Sequence, residues 1–157
     1  MRIRRGNVQD WPFIYSLAKE VIPVSVSPWR KQSMEETIKY REKVLRDFWT
    51  WIQQTDSKVF IAETGENKAV GYLVLYPSAQ EELTGVLQGW VMDFAVSPEY
   101  RQKGIGRALL KVAEEYCRAN GVAYLGLAVS SHNINALRLY GKMGFAEERK
   151  LMVKVLE

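Results

Sequence analysis

No stretch of the sequence restricts the fold as strongly as the one from Trp90 to Asn120. It begins with Trp90–Val96, whose aromatic, β-branched and other apolar residues suit a strand. A turn containing Gly104 and Gly106 follows. Beyond it, apolar residues recur at the spacing of one helix face, at Ile105, Ala108, Leu109, Val112 and Tyr116. Such a unit predicts an α/β fold in which a helix covers one face of a sheet.

The segments on either side predict the remaining strands and helices. Helices are expected over Val8–Val21 and after Ser33 and Glu36, which have the spacing of a capping box. Further strands are predicted at Met1–Arg5, Lys58–Glu63, Ala69–Tyr76, Val122–Val129 and Lys150–Leu156, with a polar loop at Pro77–Gly89 and a helix between Asn133 and Gly144. This order predicts one domain over residues 1–157, an α/β (α+β) fold with a mixed sheet and helices on both faces.

Composition narrows the protein class. Hydrophobic residues make up 47% and charged residues 25%, close to the averages of globular domains. No apolar run approaches the roughly 20 residues that span a bilayer, and Met1–Asp10 lacks the apolar core of a signal peptide, so no membrane association is expected. Cys117 is the one cysteine and can form no internal disulfide, which favours a reducing, cytoplasmic location.

The charge balance alone does not identify a partner. The net charge of +4 suits nucleic acid and a small polyphosphate equally. Because the basic residues are spread out and no RNP, zinc-finger or zipper pattern accompanies them, nucleic-acid binding is disfavoured. One histidine and one cysteine without ligand partners at useful spacing imply no metal site.

The turn before the helix of this unit has the chemistry of a diphosphate site. The first N–H groups of a helix lack intrahelical partners, and the helix dipole adds positive charge at the same end. Gly104 and Gly106 have no side chains to keep an anion away, and Arg101, Lys103 and Arg107 add charge. The turn is not a Walker loop, which needs Gly-Lys followed by Ser or Thr. A dinucleotide fingerprint needs a third small residue where Leu109 stands.

Two motifs resemble those of one enzyme family. Arg101-x-x-Gly104-x-Gly106 resembles the Q/R-x-x-G-x-G/A signature of the GNAT superfamily of N-acetyltransferases. Asn133-x-x-Ala-x-x-Leu-Tyr140-x-x-x-Gly-Phe145 resembles its second signature. The resemblance implies a GNAT-like acyl-CoA N-acyltransferase fold, whose mostly antiparallel sheet is splayed between the fourth and fifth strands. It also implies acetyl transfer from acetyl-CoA (coenzyme A) to a primary amine by direct attack in a ternary complex.

The same resemblance assigns residues to the cofactor. The strand before the loop would pair its backbone with the pantetheine arm, and the loop would hold the pyrophosphate. Asn133 would hydrogen-bond the cofactor arm, although a helix-capping role explains an asparagine there as well. The implied cofactor-binding residues are Phe94, Ala95, Val96, Arg101, Gln102, Lys103, Gly104, Ile105, Gly106, Arg107, Asn133 and Tyr140.

Tyr140 is the candidate general acid. A phenol with pKa about 10 stays protonated at neutral pH and can donate a proton to a leaving thiolate. Packing on an amphipathic helix is the alternative role. Asp93 interrupts an apolar strand and is the candidate general base, unless it faces solvent at a splayed edge. Other candidate bases are Glu63, Glu81, Glu82 and His132, and Cys117 is rejected as a covalent nucleophile.

The acceptor is a small-molecule or peptide amine that the sequence does not identify. In the family that the chain resembles, specificity comes from the first two helices and their loop. Here those hold Val24, Val26, Trp29, Arg30 and Tyr40, for any of which core packing is the alternative. An acyl-CoA-binding sensor without turnover is the alternative function, and an edge strand late in the sheet is a possible site of homodimerisation.

Overall fold

A five-stranded mixed sheet forms the centre of the computed structural model, which describes all residues from 1 to 157. Its strands follow one another across the sheet in chain order. The first four pair antiparallel, and the fifth runs parallel to the fourth. The strands are β1 (Arg2–Arg5), β2 (Lys58–Glu63), β3 (Ala69–Gln80), β4 (Leu87–Val96) and β5 (Leu125–Gly126). The predicted mixed, mostly antiparallel sheet is confirmed.

Five helices accompany the sheet, and their ends follow local chemistry. Ser33 and Glu36 form the predicted capping box, and the Asn133 side chain accepts from the Ala136 N–H at 3.3 Å. The helices are α1 (Trp11–Glu20), α2 (Ile22–Ser25), α3 (Met34–Gln54), α4 (Ile105–Ala119) and α5 (Ile134–Lys142), with short 3-10 turns at Val8–Asp10 and Pro98–Tyr100. None of them combines the length and the apolar character needed to cross a bilayer.

The two faces of the sheet bury separate apolar layers, because side chains alternate along each strand. On one face α1 and α3 cover the sheet through residues such as Ile14 and Leu45. On the other face α4 buries Leu109 and Leu110 against β2, β3 and β4. Both layers are therefore covered by helices, as the sequence predicts.

The sheet opens between β4 and β5. Only two residue pairs join these strands, Gly89 with Leu125 and Trp90 with Gly126. A Cβ atom on Gly126 would lie 2.7 Å from the Trp90 ring, so glycine is what permits this close approach. Past Trp90 the strands separate, and residues 91–96 of β4 have no neighbouring strand on that side. The predicted splay is confirmed, and we call this opening the gap.

Three predicted elements differ from the structure. The strand expected at Val122–Val129 is only β5, because its outer neighbour is missing and the splay removes its inner one. The strand expected at Lys150–Leu156 is wrong: residues 146–157 form neither helix nor strand, and Leu151 is 96% exposed. An alternating pattern needs a long free edge to pair with, and the two-residue β5 offers almost none. The predicted loop Pro77–Gly89 is mostly the extension of β3 and β4 into a hairpin.

Candidate active site

The loop that leads into α4 presents unpaired backbone N–H groups. Gly104 precedes the helix with φ of 79°, and Gln102 also lies in the left-handed region with φ of 59°. No side chain caps the helix, and a Cβ on Gly104 would meet nothing within 4 Å. The first turn of this 15-residue helix therefore opens to solvent with its N–H groups free, which is the geometry of an anion site.

The charges around this loop are uncompensated. Arg101, Lys103 and Arg107 are exposed, and none of them belongs to any of the ion pairs in the chain. Lys68, which the sequence did not single out, places its Nζ 5.4 Å from the Tyr100 ring centroid, and Lys103 Nζ lies 5.1 Å from the same centroid. The turn between β2 and β3 thus adds a fourth cation to the site.

Gly106 takes part in packing in the structure. A Cβ at this position would lie 3.1 Å from the Phe94 ring and 3.3 Å from Leu139. Glycine here lets α4 approach β4 and α5 closely, so the motif combines an anion loop at Gly104 with a packing contact at Gly106.

The backbone of β4 faces the gap at alternate residues. The Ser97 N–H donates to the Val70 carbonyl at 2.8 Å, which makes the facing residues Gly71 and Val96 a non-hydrogen-bonded pair. By alternation, Phe94 and Val96 direct their N–H and C=O groups into the gap, whereas those of Ala95 point toward β3. Two of these four groups are already engaged: Phe94 N–H by an Asp93 oxygen at 2.9 Å, and Val96 C=O by Arg101 Nε at 3.1 Å.

Asp93 lies next to an irregularity in β4. Val74 pairs with Asp93 and Leu75 pairs with Val91, so Met92 is an extra residue that forms a β-bulge. The Asp93 Oδ2 accepts from the Tyr72 hydroxyl at 2.8 Å, and Oδ1 accepts from Phe94 N–H. Burial raises the pKa of the Asp93 carboxyl, against the opposing effects of these two hydrogen bonds and of the positive charge of Arg41.

Tyr140 projects from α5 toward the same region. Its ring lies 6.5 Å from Phe94 and 5.7 Å from Phe145, centroid to centroid, so it does pack as an aromatic. Desolvation, and secondarily the negative charge of Asp93, raise the pKa of Tyr140 to about 12. Asp93 is therefore close enough to act on the phenol electrostatically, and the phenol remains protonated across the physiological range.

The other candidate bases are engaged elsewhere. Glu63 is buried between Arg2 and Arg4, whose hydrogen bonds hold the pKa of its carboxyl below the usual value. Glu81 accepts hydrogen bonds from Thr84 within the β3–β4 hairpin and pairs with Arg149, which also binds Glu82. These three carboxylates stabilise local structure.

The two remaining candidates are a cysteine and a histidine. Cys117 is buried on α4, and burial raises the pKa of its thiol, which disfavours the thiolate that covalent catalysis needs. His132 is half-buried in the loop before α5, beside the capping residue Asn133.

A cavity of about 350 Å³ lies between the first three helices and β4. Five of its eight lining residues are apolar, and the three polar ones are Ser25, Arg41 and Asp93. The Ser25 carbonyl accepts from Ser130 Oγ at 2.6 Å, which joins α2 to the loop after β5 across the gap. The apolar lining consists of Ala18, Val21, Ile22, Val26 and Leu45.

Only part of this cavity was predicted. Of the residues expected to shape an acceptor site, Val26 lines it, whereas Trp29 and Tyr40 are exposed outside it. Tyr72 and Arg41 were missed. The signal for Tyr72 was a lone hydroxyl in the apolar run of β3, which needs a buried partner. Arg41 carried no signal, because an arginine on a long charged helix is ordinarily solvated.

The sequence is similar to those of known acetyltransferases. A family model described as the acetyltransferase (GNAT) family matches residues 15–145. Over 95 residues, 60% of this chain and 47% of the relative, the sequence is 34% identical to streptothricin acetyltransferase of Streptomyces lavendulae. Over 57 residues, 36% of this chain and 38% of the relative, it is 40% identical to the ribosomal protein bS18-alanine N-acetyltransferase of Escherichia coli.

The likeness extends to three dimensions. A solved structure from Pyrococcus furiosus, described provisionally as an acetyl transferase, superposes with a TM-score of 0.81 at 25% identity and covers 99% of both chains. By contrast, the chain spans about half the length of the streptothricin enzyme that it matches. The part shared with the Pyrococcus furiosus structure therefore includes the whole sheet and its helices, whereas the streptothricin enzyme is about twice as long as the part that matches.

Proposed function

The chain belongs to the acetyltransferase (GNAT) family, and from that premise we propose that it moves the acetyl group of acetyl-CoA to an amine held beside Asp93. The observation that carries this proposal is the convergence of two opposite proton-transfer groups on one opening of the sheet. The Asp93 carboxyl has a raised pKa and lines a cavity, and its charge reaches the protonated phenol of Tyr140. A base and an acid whose environments suit these roles mark an acyl-transfer site.

Coenzyme A fits the groups that the chain leaves free. Arg101, Lys103 and Arg107, with the N–H groups of the first turn of α4, would hold its pyrophosphate. On β4, the Phe94 C=O and the Val96 N–H remain available in the gap for an amide-bearing arm. When bound, acetyl-CoA supplies an activated acetyl thioester. Asn133 caps α5, and contact with the cofactor arm is an additional proposed role for it.

Asp93 would prepare the acceptor. An ammonium group cannot attack a carbonyl carbon, so one proton must leave the nitrogen. Each Asp93 oxygen accepts one hydrogen bond within the chain, which leaves further lone pairs directed at a ligand. Because burial raises its pKa, this carboxylate is a stronger base than an exposed aspartate.

Tyr140 would complete the proton balance. The amine nitrogen gains a bond to the acetyl carbon, the C–S bond breaks, and the electron pair leaves on sulfur. The Tyr140 hydroxyl forms no hydrogen bond within the chain, so its proton is free for donation to that sulfur. An ammonium nitrogen loses two protons on becoming an amide: Asp93 takes the first before attack, and the second leaves after the C–N bond has formed and replaces the proton that Tyr140 gave to sulfur. The products are an N-acetyl amine, a thiol and protonated Asp93, which returns its proton to solvent.

The experiment is a thiol-release assay with acetyl-CoA and a panel of primary amines, with the N-acetyl product identified by mass. We expect acceptor-dependent thiol release that Tyr140→Phe and Asp93→Asn each reduce strongly. Acetyl-CoA binding with no turnover of any amine would contradict transfer and favour a sensor. Absence of acetyl-CoA binding by folded protein would remove the cofactor site as well.

A further inference from the structure

Arg41 is the one cation of the cavity, and the chain gives it no partner. Its side chain lines the cavity together with Leu45, one helical turn farther along α3. Arg41 takes part in none of the ion pairs or side-chain hydrogen bonds within the chain. Arg41 is exposed, but its guanidinium lines a cavity together with the half-buried Asp93 carboxylate and has no partner within the chain, which is an arrangement for a ligand.

The two charges of the cavity lie apart. Arg41 and Asp93 both line it, yet no ion pair joins them, although the positive charge of Arg41 acts on both Asp93 and the Tyr72 hydroxyl bonded to it. Five of the other six lining residues are apolar, Val21 and Ile22 among them. A ligand that fills this space needs a positive end, an apolar body and a negative end.

We propose that the acceptor is an amine that also carries a carboxylate, an apolar amino acid or short peptide, with its carboxylate on Arg41 and its amine at Asp93. This inference rests on the proposed function and adds the class of substrate. The planar guanidinium donates two parallel N–H bonds to a carboxylate, a geometry that a lysine would not provide. The cavity of about 350 Å³ matches the lower end of small-molecule sites, which suits such a ligand.

The same charges disfavour a polyamine or another polycation. Such an acceptor would bring several positive groups to a cavity that holds one carboxylate and one guanidinium. Farther out on α3, Lys39, Lys43 and Arg46 border a neighbouring groove with only Glu36 as a counter-charge. Like charges along the approach lower the association rate and the affinity of a polycation.

The test compares matched acceptors that differ only in the carboxylate. L-leucine, L-phenylalanine and alanyl-leucine are assayed against their decarboxylated counterparts and spermidine, with wild-type protein and Arg41→Gln. We expect Arg41→Gln to lower kcat/KM for the carboxylated acceptors about 10- to 100-fold, mainly through KM, because a charge-assisted hydrogen bond is lost. Their decarboxylated counterparts should change little.

Two controls keep the result specific. Arg46→Gln removes an arginine from the exposed side of the same helix, outside the cavity, and should change neither acceptor group. Arg41→Lys should restore only part of the loss, since the bidentate contact is absent. Acetyl-CoA affinity should stay the same in all three variants.

Other outcomes separate this inference from the proposed function. Wild-type preference for spermidine or for the decarboxylated amines, or an equal loss for both groups in Arg41→Gln, would overturn the inference and leave acetyl transfer intact. If no amine is acetylated, calorimetry with N-acetyl-leucine still decides the matter. Arg41-dependent binding supports the carboxylate site, and no binding contradicts it.

Discussion

The cofactor side and the acceptor side of the gap are built in different ways. The loop from Arg101 to Arg107 is seven consecutive residues, and its binding groups are mainly backbone N–H groups exposed by glycine. The acceptor cavity draws on α1, α2, α3 and β4, and its chemistry comes from the side chains of Arg41 and Asp93. A backbone site needs a local sequence to shape it, whereas a side-chain cavity needs only suitable residues brought together by the fold.

The difference explains why the sequence predicts the cofactor side better than the acceptor side. A pyrophosphate is the same whatever the acceptor, so one loop geometry serves it. Residues that line a cavity can change one at a time without disturbing the helices that carry them. The following variants test whether the two sides are as independent as this comparison holds.

The largest effect should come from Tyr140→Phe, which removes the acid that both sides share. We expect kcat to fall about 10²- to 10³-fold, the range of general acid catalysis, with acetyl-CoA affinity nearly unchanged. Stopped-flow thiol release measures kcat, and calorimetry measures affinity. Wild-type kcat in the variant would show that Tyr140 is a packed aromatic only.

Gly104→Val should damage the cofactor side alone. A β-branched residue at φ of 79° is strained, and relief of that strain would move the first turn of α4. We expect the dissociation constant of acetyl-CoA to rise about tenfold, an estimate from a strain of roughly 1–3 kcal/mol. Gly104→Asn is the matched control, because asparagine tolerates this backbone conformation. Equally weakened binding of a carboxylated acceptor would show that the two sides of the gap are not independent.

Tyr72→Phe should alter the acceptor side through the titration of Asp93. The Tyr72 hydroxyl lowers the pKa of that carboxyl, so its removal raises the pKa further. A base acts when deprotonated, and the acidic limb of kcat/KM should therefore move to higher pH. Activity falls below that limb and is retained above it.

The matched control for this change is Tyr116→Phe, whose ring contacts Phe60 away from the gap. Its pH profile of kcat/KM should coincide with that of the wild type. An unchanged acidic limb in Tyr72→Phe would show that a group other than Asp93 takes the proton.

The smallest effect is expected at Asn133, where capping and cofactor contact are separable. Asn133→Ala removes the cap of α5 and should lower the free energy of unfolding by about 1 kcal/mol. Asn133→Ser retains a capping oxygen, so stability should recover. If acetyl-CoA affinity stays weakened in the serine variant, the amide contacts the cofactor; if it recovers, Asn133 is a cap alone.

The sequence anticipated the elements whose signals are local. Ser33 and Glu36 identified the start of α3, and the apolar spacing after Gly104 identified α4. It could not show the Met92 bulge, because the extra residue is defined only by its pairing with β3. The prediction of a C-terminal strand was wrong for a related reason. The alternation of polar and apolar residues at Lys150–Leu156 is a local pattern, but a strand forms only beside a pairing partner.

The site residues divide in the same way. Asp93 is recognisable in the sequence as a charge within an apolar strand. Its hydrogen bond from Tyr72 is not, because it joins residues on two strands. Arg41 and Asp93 line one cavity only because α3 packs on the sheet, and the residues next to Arg41 in the sequence do not distinguish it. Contacts across long sequence separations are what the sequence alone leaves undetermined.

Calorimetric titration with acetyl-CoA, ATP and NAD at matched ionic strength tests whether the loop before α4 and the gap form a coenzyme A site. We expect one acetyl-CoA site whose affinity clearly exceeds the affinities for ATP and NAD, because both the anion loop and the free β4 backbone contribute. Equal affinities for the three ligands would reduce the loop to a general anion site. No binding of acetyl-CoA to the folded protein would show that the loop and the gap do not form a cofactor site.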